Sequence, residues 1–312
     1  MSERSVPSKK STKTATQKIS AKTTSAKNNA VQRPFFSVVI PALNEEKYIG
    51  KLLKDLSKQT FSDFEVCVAD GKSEDSTQRI VQKWQKIMPA LHLAESSKRH
   101  VSVQRNLGAK QTTGKYLLFL DADDRIPPFF LEGIHYQMMK RSIQMWTCWI
   151  DPDVLNPSTL FQTKVYNMFT EMTVLINNPF ILGACIGIDR KLFNQLHGFD
   201  ETLHFMEDAD LARRADKSGI LISALRDPTY TFCLRRIRKE GSIKMLVNTL
   251  PHSLKALFGE IDFRKAVEEY PMIGGTYFSE DTGKKHKQSK ILRVFLKEKN
   301  EFKRKIEELL RG

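Results

Sequence analysis

The sequence predicts an α/β fold, a mostly parallel sheet covered on both faces by helices. Three observations point there. Short apolar runs of strand length recur up to residue 120, and each ends in a polar residue or a turn. Between them, apolar residues recur at i, i+3, i+4 and i+7, the period of an amphipathic helix. Strands and helices alternating at this length make parallel strands joined by helical crossovers, with both sheet faces buried.

Residues 1–33 carry eleven Ser/Thr, no aromatic residue, and eight basic residues against one acidic. Such a segment buries too little apolar surface to offset its ordering entropy, so a disordered basic tail is expected. Phe36-Ser-Val-Val-Ile-Pro41 reads as a buried strand closed by Pro41 and a turn. Asn44 stands where a cap for the next helix belongs, and Ile49, Leu52, Leu53 and Leu56 form that helix's apolar face. Phe64–Ala69 is the second strand, ending at Asp70-Gly71, and Ile80, Val81, Trp84 and Ile87 mark the helix after it. Leu91–Ala94 is a short third strand. A helix from about His100 to Thr113 stops at Gly114, the residue type suited to a left-handed cap. Tyr116–Leu120 is the fourth strand and runs into Asp121-Ala-Asp123-Asp124.

The 312 residues, 40% apolar, can fill one large domain or two small ones. The net charge of +14 is unevenly placed: +7 in residues 1–33, +6 in 281–312 and +1 in 34–280. Charge therefore speaks of association at the two ends rather than of chemistry in the body. No apolar stretch reaches the roughly 18 residues that span a bilayer. The longest, Phe180 to Ile188, has nine residues and includes two glycines. The N-terminus lacks the apolar block of a secretory signal. The four cysteines, Cys67, Cys148, Cys185 and Cys233, lie far apart. Their spacing argues against a disulfide framework or zinc site and fits a reducing cytoplasm. No Gly-x-Gly-x-x-Gly or P-loop motif occurs. A specific nucleic-acid partner is not expected, because the basic tail has no interleaved aromatics and no recognised motif.

In parallel sheets ligands bind beyond the carboxyl ends of the strands, where this chain places Asn44, Asp70, Ser73, Asp121 and Asp123. In extended backbone, Asp121 and Asp123 would share a face. Two hard oxygen donors suit Mg²⁺ or Mn²⁺ bridging a diphosphate; the other reading is a solvated acidic turn. Glu207-Asp208-Ala-Asp210-Leu-Ala-Arg213-Arg214 is the second acidic constellation, positioned by the turn Gly198-Phe199-Asp200. Acids in a first helical turn satisfy the dipole, and Asp210 can pair with Arg213 or Arg214. Alternatively one carboxylate deprotonates an acceptor hydroxyl, with Asp208 the candidate. The pattern leaves both readings open.

Five motifs occur in order: Ser37-Val-Val-Ile-Pro-Ala-Leu-Asn44-Glu45-Glu46, Asp70-Gly-Lys-Ser73-Glu-Asp75-Ser-Thr77, Arg105-Asn106-x-Gly108, Leu118-Phe-Leu-Asp-Ala-Asp123, and Gly198-Phe-Asp-Glu201 with Glu207-Asp208-x-Asp210-Leu. Together, over about residues 35–240, they resemble glycosyltransferase family 2. The resemblance implies an inverting, metal-dependent GT-A domain over 34–240 that takes a sugar from a nucleotide-diphosphate donor to a glycan or lipid-linked acceptor of the cell envelope. By the same resemblance, Pro41, Asn44 and Glu45 line the nucleotide pocket with Ser73. Asp70 contacts the base and Asp121 the ribose side. Arg105 lies near the donor phosphates or sugar, and Asp123 holds Mg²⁺ or Mn²⁺. Asp208 is the general base, with Glu207 beside the acceptor. No Gln-x-x-Arg-Trp occurs, which points away from a processive synthase.

Gly71 stands where the family often has a second acid, leaving uridine or guanosine open. His197 replaces a usual glycine and either faces the acceptor or occupies a surface turn. Arg235-Arg236-Ile-Arg238 either closes over the diphosphate or is a solvated charge run. The alternative from another class is a catalytically silent nucleotide-sugar-binding or membrane-surface scaffold of the same fold; intact Asp121, Asp123 and Asp208 argue against it.

Residues 241–312 form a helical extension in this reading. Met245, Leu246, Leu250, Leu254, Leu257 and Phe258 have helical spacing around a lone His252. Residues 288–311 make a basic helix with Ile291, Phe295, Phe302, Ile306 and Leu309 on one side. It either lies on an anionic membrane surface or docks on the catalytic domain. The expected location is cytoplasmic, peripheral on the inner face of the membrane.

Overall fold

The computed structural model describes residues 33–203 and 206–235. The basic tail before Arg33, Arg236, His252, the apolar positions of 245–258 and the helix expected over 288–311 lie outside them.

The elements in chain order are β1 (Phe36–Ala42), α1 (Ile49–Leu56), β2 (Phe64–Asp70), α2 (Thr77–Gln85), β3 (Leu91–Glu95), α3 (Val101–Lys110), β4 (Tyr116–Leu120), α4 (Phe130–Lys140), β5 (Met145–Pro152), α5 (Pro157–Leu175), β6 (Cys185–Asp189), α6 (Arg190–Gln195), α7 (Glu207–Lys217) and β7 (Ile222–Phe232). They form one seven-stranded sheet in the order β3-β2-β1-β4-β6-β5-β7. β1 pairs in parallel with β2 and β4, β2 with β3, and β5 with β7. β6 runs antiparallel to β4 and β5. The sheet is thus mostly parallel, and its antiparallel member is the apolar run ending at Ile188.

Every residue of β1 is buried, because each face of the strand has its own cover. Val38 and Ile40 pack with Leu52, Leu53, Val66, Leu118 and Trp146. Val39, from the opposite face, packs with Phe119, Ile186, Leu192, Phe199 and Leu211. An alternating pattern would leave one face wet; the continuous apolar run buries both. The four cysteines are buried and free, and no helix among the described residues is long and apolar enough to cross a membrane.

Four local expectations are corrected. Asn44 does not cap α1, which begins after Tyr48. Asn44 sits at φ 56°, and its Oδ1 accepts from Glu74 N at 2.8 Å; a contact to the next loop outweighs the local cap. α2 ends at Gln85, so Ile87 falls beyond it and is exposed. α3 ends at Lys110 rather than at a left-handed Gly114. Thr112 Oγ1 donates to Gly108 O and Ala109 O at 2.9 and 3.1 Å, and Arg190 Nη1 reaches Ala109 O at 2.6 Å, so side chains occupy the last carbonyls. Gly114 is needed for close approach, since a Cβ there would lie 2.8 Å from the Phe36 carbonyl carbon. Finally, Asp121–Asp124 is a turn rather than extended backbone, with Asp124 N bonded to Asp121 O at 3.1 Å. The shared-face argument for Asp121 and Asp123 therefore does not hold.

Candidate active site

The loops after β1 and β2 are tied together at the carboxyl edge. Asp70, fully buried, accepts from Ser73 N at 2.9 Å, Ser73 Oγ at 2.5 Å and Gln78 Nε2 at 2.6 Å. Ser73 Oγ in turn accepts from Asn44 N at 2.9 Å. Gly71 N bonds Ala42 O at 2.8 Å, and Gln104 Nε2 spans Ala42 O and Ala69 O at 2.8 and 2.9 Å. Pro41 lies in β1 opposite Ala69. A cleft of about 290 Å³ opens at this edge, lined by Asn44, Glu46, Lys47, Glu74 and Asp75.

Acids crowd the next part of the edge. Arg235 Nη2 and Nη1 bind both Glu45 oxygens, at 2.5 and 2.9 Å, while its Nε lies 2.9 Å from Asp123 Oδ2. The guanidinium carbon sits 4.7 Å from the Tyr48 ring centre. Arg235 is therefore not part of a solvated charge run; it fills the space between two site carboxylates. Burial raises the Glu45 pKa to about 7, partly offset by Arg235 and reinforced by Asp123 and Asp121. Burial likewise raises Asp123, against the pull of Arg235 and with the push of Asp121. Asp124, which the sequence reading passed over, is fully buried, and its Oδ1 has no hydrogen-bond partner. Burial, then Asp121 and Asp123, hold it well above the carboxylate range.

Among the described residues, no three His, Cys, Asp or Glu side chains converge to hold a metal ion. The residues present nevertheless fit a hard divalent cation. Asp123 and Asp121 offer carboxylate oxygens whose mutual repulsion a cation would relieve. Mg²⁺ characteristically takes one or two carboxylates and completes its shell with phosphate and water. Arg235 holds Asp123 Oδ2 in this structure, so a cation and Arg235 would share that oxygen or compete for it.

Opposite the acid edge, α7 opens with Glu207 and Asp208. Arg105, buried at 2% exposure, links them to the rest. Its Nη1 donates to Glu207 Oε1 at 2.7 Å, and its Nη2 to Asp121 Oδ1 at 3.1 Å and Gly183 O at 3.0 Å. A Cβ on Gly183 would lie 2.7 Å from that nitrogen, so any side chain there would push the guanidinium out of its place. Gly183 N donates to Asp208 Oδ2 at 2.6 Å, and Ala209 N to Oδ1 at 2.7 Å. Burial, then neighbouring Glu207, push the Asp208 pKa up to about 7 against the pull of Arg105.

The second acidic constellation thus divides its labour. Asp210 pairs with Arg214 at 2.7 Å, as helix spacing suggested; Glu207 anchors Arg105; Asp208 is left with its pKa near neutrality. Asn106 holds the turn before α7, its Oδ1 accepting from Phe199 N and its Nδ2 donating to Phe199 O, both at 2.9 Å. His197 is exposed, in a left-handed turn at φ 61°. Gly183 and Gln104 were not singled out by sequence reasoning. The one available signal was a glycine inside an apolar run, where a side chain would otherwise pack.

The family model described as Glycosyl transferase family 2 matches residues 37–196. Over 94 residues the chain is 42% identical to the poly(ribitol-phosphate) beta-N-acetylglucosaminyltransferase TarS of Staphylococcus aureus, covering 29% of this chain and 16% of TarS. Over 95 residues it is 33% identical to the GalNAc(5)-diNAcBac-PP-undecaprenol beta-1,3-glucosyltransferase of Campylobacter jejuni, covering 30% of this chain and 31% of that enzyme. The matched region is therefore well under two thirds of either relative's length. In solved structures, TarS residues 1–349 in complex with UDP superpose with a TM-score of 0.54 at 24% identity, over 72% of this chain and 64% of that one. The mannosyltransferase PcManGT of Pyrobaculum calidifontis, in complex with GDP-Man and Mn²⁺, gives 0.56 at 20% identity, over 76% and 69%. The fold is that of the GT-A glycosyltransferases.

Proposed function

The chain belongs to glycosyltransferase family 2, and on that premise we propose that it moves a sugar from a nucleotide-diphosphate donor to a hydroxyl of a glycan or lipid-linked acceptor, with inversion at the anomeric carbon. The observation that carries this reading is the ion-paired chain Asp121–Arg105–Glu207, with Arg105 and Glu207 buried, which ties the carboxyl edge of the sheet to the segment bearing Asp208. It fixes base and donor relative to each other on rigid elements, the condition for an in-line displacement.

In this reading Pro41, Asn44, Glu45, Asp70 and Ser73 form the nucleotide side of the site, with Asp121 toward the ribose. Asp208 takes the proton of the acceptor hydroxyl. A base with a pKa near the working pH is well matched to that task, and burial next to Glu207 supplies the shift. Gly183 N and Ala209 N hold the Asp208 carboxylate, while Arg105 ties Glu207 beside it to Asp121. Asp123, with Asp121, would hold Mg²⁺ or Mn²⁺, which when bound neutralises charge on the departing diphosphate. UDP and GDP-Man are the nucleotides named with the two structural neighbours, so uridine and guanosine donors are the first to test.

The test is a transfer and hydrolysis screen of UDP-, GDP- and dTDP-sugars with Mn²⁺ or Mg²⁺, alongside Asp123→Ala and Asp208→Asn. Turnover that both substitutions abolish supports the assignment. Turnover with no donor removes the transferase reading, and donor binding without turnover returns the chain to a silent nucleotide-sugar binder.

A further inference from the structure

Helix α3 buries two long polar side chains next to each other, Gln104 and Arg105. Arg105 serves the segment bearing Asp208, while Gln104 reaches the carboxyl ends of β1 and β2. Its Nε2 donates to Ala42 O at 2.8 Å and to Ala69 O at 2.9 Å, which uses both amide hydrogens. Turning the amide over would set its oxygen against two carbonyl oxygens, so these bonds fix which atom is which. Oε1 is left over as an acceptor. It takes no hydrogen bond from any described residue, yet it is not sealed from solvent, although Gln104 as a whole is only 3% exposed. Polar groups held this deeply are normally bonded. An unused, reachable acceptor clamped at two strand ends therefore points to a ligand.

Gly71 makes the room for it. A Cβ there would lie 3.0, 3.1 and 3.2 Å from Nε2, Cδ and Oε1 of Gln104. Unstrained contact lies at about 3.5–4.0 Å, so a side chain at position 71 and the Gln104 amide compete for one place, and this chain puts the amide there. Asp70 beside it is 0% exposed, and its oxygens take Ser73 N, Ser73 Oγ and Gln78 Nε2. It shapes the loop and presents no oxygen outward. Beyond the strand ends, where ligands of parallel sheets bind, this corner offers a single neutral acceptor.

We propose that Gln104 reads the base of the nucleotide donor, its Oε1 accepting from the ring N3–H of uracil or thymine. That imide carries one donor between two carbonyl groups, which matches one neutral acceptor. Cytosine presents a lone pair at N3 and would repel Oε1. Guanine presents N1–H beside its 2-amino group, a pair of donors better matched by the two oxygens of a carboxylate. The inference rests on the proposed function, because it names the base within that donor.

The experiment is calorimetric titration of the full chain, in Mn²⁺, with UDP, CDP, GDP and N3-methyl-UDP. UDP should bind at least about tenfold more tightly than CDP or N3-methyl-UDP, and more tightly than GDP. Gln104→Ala should cut the methylation penalty to about twofold or less. Gly71→Ala, whose Cβ crowds the amide without deleting it, should give an intermediate penalty. A Gln104 that only braced the strands would weaken all four nucleotides alike and leave their ratios unchanged. N3-methyl-UDP that binds the parent as well as UDP does overturns the inference, and that result needs no variant to fold. So does a preference for GDP, or a full methylation penalty in Gln104→Ala. Each of these leaves the transferase reading standing, since a nucleotide still binds. Failure of all four to bind removes that reading, and this inference with it.

Discussion

Two ends of the same sheet treat carboxylates in opposite ways. At the amino edge Glu65 Oε1 accepts from Ser37 Oγ at 2.8 Å, Thr113 N at 2.6 Å and Gly114 N at 2.8 Å. Burial alone would raise its pKa, but these donors outweigh burial and hold it below the usual range. Arg190 completes the cluster through Ser37 Oγ at 2.8 Å and Gly114 O at 2.5 Å. At the carboxyl edge Glu45, Asp123, Asp124 and Asp208 are all held above the usual range, first by burial and then by neighbouring carboxylates, Asp121 or Asp123 for the first three and Glu207 for Asp208. Hydrogen-bond donors spent on Glu65 stabilise the fold. Acids whose donors do not outweigh their burial cost stability and are poised to take up a cation, a ligand or a proton.

The sign of the pH dependence differs accordingly. Glu65, depressed in the fold, contributes stability that is present above its ordinary 4.5 and lost as pH falls through its lower folded value. Asp208 is raised, so between 3.8 and about 7 the native state binds more protons than the unfolded chain. Its contribution therefore falls as pH rises through that window.

The largest expected effect tests the functional edge. Asp208→Asn should lower transfer by about 10²–10⁴-fold while melting no earlier than the parent in thermal scans. Full transfer by this variant would remove the base assignment. In the parent, kcat/KM should climb with pH and level off above about 7, since Asp208 must be ionised to accept a proton; Glu207 and Arg105 are the charged groups facing it. Asp208→Asn should flatten the profile, and an unchanged profile would assign the titration elsewhere.

Glu65→Gln should do the reverse, costing about 2 kcal/mol in urea unfolding with kcat per folded molecule unchanged. A loss of kcat without a loss of stability would erase the contrast between the edges. Arg235→Ala sharpens it further. With Asp123 Oδ2 released, Mn²⁺ affinity measured without donor should rise about fivefold, and an unchanged affinity would mean that Arg235 does not compete there. The smallest effect lies away from both clusters. His197→Gly should raise stability by up to about 1 kcal/mol in the same urea measurement, because φ 61° costs a histidine more than a glycine.

Much of the fold was legible because its signals are local. The apolar runs of β1, β2 and β4 and the polar residues ending them mark three strands and their carboxyl ends by local pattern alone. Asn44 misled as a cap because its tertiary partner, Glu74 N, is invisible to local pattern. β6 hid inside an apolar run carrying two glycines. α5 was unreadable in another way, since its apolar stripe marks the outward face and its threonines the buried one.

By itself the sequence determined the alternation of strands and helices, the acidic motifs at their ends and the family to which the chain belongs, because period, end polarity and motif order are properties of neighbouring residues. Only the tertiary structure decided which charges meet. Arg105 reaches Glu207 across 102 positions and Arg235 reaches Glu45 across 190. No local rule ranks such pairings, since each depends on which strands lie side by side and how far the site between them is closed to water.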